Sequence, residues 1–182
     1  VTRRLFHVRN TRGAGILRHV VAGAVAGAVA TAAMDLLLYQ RYRRDGGKDA
    51  LGRWELAAGV TSWEEASAPG QVGQKLERLV IRRPPPDTWA RTTTNATHWA
   101  TGIGWGIQYG VLAGRTARHP SLGALALGPA AWLTSYAVLP LAGVYKPIWE
   151  YDARTLADDL SAHLVFGGVT AAVFAALTRE RS

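Results

Sequence analysis

Four stretches of this chain are almost free of charge, and each is about as long as a bilayer is thick. Val20–Leu38 carries a single charged residue, Asp35, and Asn95–Gly114 has one ionisable side chain, His98. Leu122–Val144 holds only the hydroxyl of Tyr136, and Leu160–Leu177 holds only His163. A helix needs about 20 apolar residues to cross the hydrocarbon core. Mean hydropathy over the whole chain is +0.01, which taken alone would describe a water-soluble protein. The apolar residues are concentrated in blocks, however, and too little amphipathic sequence remains to cover four buried helices. The expectation is an all-α integral membrane bundle forming a single domain over 1–182. Its spans are expected at about 20–38, 95–114, 122–144 and 160–177, with an extramembrane loop over 39–94.

A signal peptide is the rival reading of the first block, since Arg3, Arg4, Arg9, Arg12 and Arg18 precede an Ala-rich run. The run is long and passes through Asp35 into LLLY, which favours an uncleaved span. Val1, followed by text rich in Ala, Gly and Arg, is expected of a GTG start in a high-GC bacterium. The bacterial inner membrane is therefore the expected location.

The chain has no cysteine, which rules out disulfides, thiolate metal sites and Fe–S clusters. Its net charge of +8 could suggest nucleic acid. Most of that charge flanks the spans, as in RYRR at 41–44 and RR at 82–83, where anionic headgroups are the simpler partner. The lipid bilayer is thus the expected partner, with another membrane protein or a second copy also open, and no nucleic acid.

Within the loop, PGQVGQKLERLVIRR places Val72, Leu76, Leu79 and Val80 at helical spacing between Pro69 and the stop at PPP 84–86. The pattern predicts a short amphipathic helix, either lying in the headgroup layer or packed on the bundle.

Three spans carry rows at four-residue spacing: Gly23, Gly27, Thr31, Asp35; His98, Gly102, Gly106, Gly110, Gly114; and Asp159, His163, Gly167, Ala171, Ala175. Small residues in such rows let membrane helices approach closely. Each row also holds an ionisable residue, which should therefore face inward. Spans joined in order alternate in direction, so the end of the first and third and the start of the second and fourth share one side. Asp35, His98 and His163 then lie at a similar depth of about 5 Å, with Glu150 and Asp159 at the rim. A convergent polar site is expected there, with His98 and His163 close enough to share a ligand or a water.

The second half also resembles a known family. HWATGIGWGIQYG, then VLPLAGVYKPIWEYDARTLADDLSAHLVFGG, is similar to the YagU-type inner-membrane family, a group of unknown function. The matching positions are His98, Gly102, Pro140, Gly143, Glu150, His163, Leu164 and Val165, and the likeness covers roughly residues 95–175. It implies an inner-membrane protein and no particular reaction.

Imidazoles beside carboxylates can relay protons near neutral pH, so the leading expectation is a proton- or ion-responsive site serving pH or envelope stress. The same residues could simply cap helices and satisfy buried carbonyls. An accessory or assembly subunit, binding a membrane partner through its glycine rows, is the rival from another class. No cofactor is expected, although two imidazoles with carboxylates leave a metal ion or a bis-histidine haem open. No nucleotide loop or catalytic serine motif is present, so the expectation leans away from an enzyme. Orientation stays undecided: nine Lys and Arg gather at the side of the termini and ten at the side of the long loop. The lean is towards cytoplasmic termini.

Overall fold

The computed structural model describes residues 2–115 and 120–179, with side-chain surroundings for 15–113 and 126–179. Among the described residues the chain is all-helical. In order, α1 is Thr2–Arg44, α2 Leu51–Glu55, α3 Ala68–Ile81, α4 Ala90–Arg115, α5 Pro120–Leu141 and α6 Ala153–Thr178. Short 3-10 turns at Asp87–Trp89 and Ile148–Glu150 lead into α4 and α6.

α1 is the hub, packed along α4 on one side and α6 on another, and α5 packs on α6. Neighbours run antiparallel. At one end Asp35 of α1 meets His98 of α4, and Arg41 donates to the Asp158 carbonyl and the Ser161 hydroxyl of α6, both at 2.7 Å. At the other end Arg18 donates to the Thr178 carbonyl at 3.2 Å, and the His19 ring lies 5.7 Å from that of Phe174. The last carbonyls of α6 have no following turn to donate amides to them, so a guanidinium there satisfies a group the helix leaves open.

Among the described residues two helices are long and apolar enough to cross a membrane: Gly15–Arg44 and Ala153–Thr178. Ala126–Leu141 is apolar but shorter. Three of the four expected spans fall within helices and the third overruns α5, while only two of the helices meet the requirement of length with composition among the described residues. The third stops earlier than expected, at Leu141. Pro140 and Gly143 close a turn there, with the Gly143 amide on the Pro140 carbonyl at 2.9 Å and Gly143 at φ +63°, where a side chain would be strained.

Along α1 the enclosed positions are small or polar and several larger apolar ones are exposed. The most enclosed positions of α1 are Ala22, Ala26, Ala30, Thr31 and Asp35, whereas Leu17, Val21, Val25, Val29 and Leu36 face outward. Elsewhere among the described residues larger side chains are buried between the helices, among them Tyr109, Leu127, Tyr136, Phe166 and Phe174. A second small core, Trp63, Ala66 and Ala90 with Val60 against it, anchors the loop, and the Trp63 indole donates to the Pro85 carbonyl at 3.0 Å.

The predicted loop helix forms as α3, with Pro69 in its first turn. It ends at Arg82, whose left-handed backbone (φ 54°) turns the chain before the prolines. α3 rests on α4 through its glycines rather than through its apolar stripe. Gly70 is seated against Thr94, and Gly73 against Thr93 and Thr97.

Candidate functional site

The rows on α1 and α4 mate rung by rung. A methyl at Gly23 would overlap the Gly106 carbonyl, and one at Gly27 would come within 3.1 Å of the Ile103 Cα. Conversely, a methyl at Gly110 would strike the His19 carbonyl, and one at Gly102 the Thr31 hydroxyl. The two backbones are therefore in contact over several turns, as small residues permit. Thr31 turns its hydroxyl back to the Gly27 carbonyl at 2.8 Å, which spares the buried interface an unpaired donor.

One rung further on, the small residues give way to Asp35 and His98. The His98 Nε2 lies 2.8 and 3.0 Å from the two carboxylate oxygens of Asp35. Asp35 is buried and His98 is partly open on the loop side. Backbone contact one turn away is what brings these two short side chains within reach of each other.

A third group joins them from the loop. Glu55 ends α2 beside Asp35, His98 and Trp99. Its carboxyl is held above the usual carboxylate range, first by burial and then by the negative charge of Asp35. One oxygen, Oε1, is enclosed without a hydrogen-bond partner among the described residues. α2 is held in place by its neighbours. Trp54 packs 5.5 Å from Tyr39 and 6.1 Å from Tyr42, while Arg91 and Asn95 donate to the Leu56 carbonyl at 2.9 and 3.1 Å.

His163 and Asp159 form a separate pair within α6. The His163 Nδ1 is 3.0 Å from the Asp159 carbonyl and 3.4 Å from its Oδ1. The His163 carbonyl presses on Gly128 of α5, so this pair belongs to the α5–α6 contact. Beside it the rings of Tyr136, Tyr145 and Tyr151 touch one another at 5.3, 5.3 and 6.2 Å. Burial, reinforced by the charge of Asp159, pushes the Tyr145 phenol up to about 12.

The single convergent site of the sequence analysis is thus drawn as two pairs, Asp35–His98 and Asp159–His163. No hydrogen bond joins them among the described residues. At this end α4 and α6 lie on different sides of α1, and their contact through Tyr109 and Phe174, at 5.4 Å, is near the opposite end. Glu150 is exposed on its 3-10 turn. Gly167 is buried in α6, and the surroundings of Gly114 lie outside the described residues. No group of three or more His, Asp or Glu among the described residues is arranged to hold a metal ion.

Glu55 escaped the sequence reading because it lies in a short loop helix without periodicity. No known family, curated protein or solved structure matches the chain.

Proposed function

We propose that this chain is a small bacterial inner-membrane protein of four spans, whose Asp35–His98 pair, with Glu55 beside it, responds to protons at the loop-side face. The observation that carries the reading is a buried acid–imidazole pair between helices whose outward residues are apolar. Intramembrane ionisable residues that face the bundle interior and pair with one another mark functional pathways. Imidazole is the side chain whose charge changes between about pH 5 and 8. The resemblance of the second half to the YagU-type family supports the inner-membrane part of this reading alone. Asp159 and His163 serve the α5–α6 junction and are secondary in this scheme.

Trp99 is the natural reporter, its ring 6.4 Å from that of His98. In proteoliposomes, wild-type tryptophan emission should show a transition between about pH 5 and 8. His98→Gln should abolish the transition, and His163→Gln should leave it in place. The same transition in wild type and His98→Gln would refute the proposal.

A further inference from the structure

The face that α3 leaves uncovered is apolar and basic, which complements an anionic lipid surface. With successive residues about 100° apart, its side chains fall into three sectors roughly a third of a turn from one another. Gly70, Gly73 and Glu77 form the sector against α4, where Thr93 donates its hydroxyl to Glu77. Val72, Leu76, Leu79 and Val80 form the second, with Leu79 and Val80 76% and 81% exposed. Lys75 and Arg78 form the third, and Arg82 and Arg83 extend it past the end of the helix.

Large apolar side chains this exposed on a helix already held at one face indicate a further contact. The charge beside them identifies it. Glu64 and Asp87 border the same groove as Lys75 and Arg78, yet none of the four basic side chains forms an ion pair among the described residues. α3 also crosses the first two turns of α4, next to Asn95, where the second expected span begins. That is the depth of headgroups in the four-span reading. We infer that α3 is an in-plane anchor, with Leu76, Leu79 and Val80 entering the acyl boundary and Lys75, Arg78, Arg82 and Arg83 meeting anionic lipid headgroups. Protein sector, acyl sector and headgroup sector then correspond to the three sides that such a helix meets. This inference rests on the membrane reading above.

The cysteine-free sequence allows single labels to test it in the full chain. Leu79→Cys and, as a control on an outward position of α1, Val29→Cys would each carry an environment-sensitive fluorophore. Both proteins would be placed in vesicles of phosphatidylcholine alone and of phosphatidylcholine with phosphatidylglycerol. The label at 79 should be quenched by shallow spin-labelled lipid and spared by aqueous iodide, more strongly with phosphatidylglycerol. Replacing the four basic residues by Gln should remove that lipid dependence, by about fivefold in the lipid-bound equilibrium per charge. Iodide access at 79 with protection at 29 would overturn the anchor and leave the membrane reading intact. Shielding at 79 from both iodide and lipid would also overturn it, since a protein would then cover the face. Iodide access at 29 would overturn both.

Discussion

Gly106 and Gly104 lie two residues apart on α4 and should respond oppositely to the same methyl. At Gly106 it would meet the Gly23 carbonyl and come within 2.6 Å of the Gly27 Cα, all of it backbone with no side chain to swing aside. At Gly104 nothing lies within 4 Å. Gly106→Ala should therefore cost about 1–3 kcal/mol through overpacking. Gly104→Ala should be neutral or stabilising by up to about 1 kcal/mol, as a helical glycine is relieved. Denaturant unfolding in detergent micelles would measure both, and equal effects would contradict the backbone contact. These rows were legible in the sequence because a four-residue repeat of Gly, Thr and Ala leaves few explanations other than close packing. Their mating partner was not, because each row fits a crossing with any antiparallel neighbour.

Among the elements, α2 shows how a five-residue helix can be tied to chemistry on others. Its docking brings Glu55 against Asp35, and burial with the negative charge of Asp35 holds the Glu55 carboxyl above the ordinary carboxylate range in the folded protein. A carboxyl raised by folding favours the neutral form. Its contribution to docking is fully present below the unfolded value and is lost as pH rises through the higher folded one. Amide exchange in residues 51–58, corrected for its intrinsic pH dependence, should accelerate as pH increases over that window. Glu55→Gln should flatten this dependence while keeping the segment protected, because the amide retains size and polarity. If Glu55→Gln followed the wild-type curve, α2 would be held by Trp54, Arg91 and Asn95 alone. α3 teaches the complementary lesson. Its existence and stop were readable from Pro69, the apolar spacing and PPP, but its packing face was not. Gly70 and Gly73 read as weak helix formers, and only the threonines of α4 turn them into a seat.

For the whole molecule, the sequence conveyed the side on which groups lie better than which helices are neighbours. Alternating direction placed Asp35, His98 and His163 towards one end, and the end-to-end contacts of Arg41 and Arg18 run as that alternation requires. Helix order around α1 is a matter of three-dimensional packing that no periodicity encodes, so one expected site resolves into two pairs. The tyrosine triad went unseen for the same reason, since Tyr136, Tyr145 and Tyr151 meet only after the chain turns at Gly143. The burial pattern is the most informative global feature. Small and polar residues line the α1 contacts while Val and Leu face out, an arrangement that suits surroundings as apolar as the side chains themselves.

The mated rows of α1 and α4 repeat every four residues, and a repetitive interface has degenerate alignments. Sliding one helix by a single repeat, about 6 Å, would keep glycine against glycine along most of the seam. It would also carry His98 opposite Thr31, or Asp35 opposite Gly102, and break the Asp35–His98 bond, which belongs to a single alignment. Asp35–His98 thus works as a register key, in the way a lone buried polar residue fixes the alignment of a coiled coil. Paired-cysteine crosslinks placed for adjacent alignments should report one in the native chain and a mixture in Asp35→Leu/His98→Leu. One alignment in both would leave the glycines as sufficient guides. On this account a change in the charge of the pair alters more than a local hydrogen bond, because it loosens a stop on a track whose repeats would otherwise fit one another at more than one step.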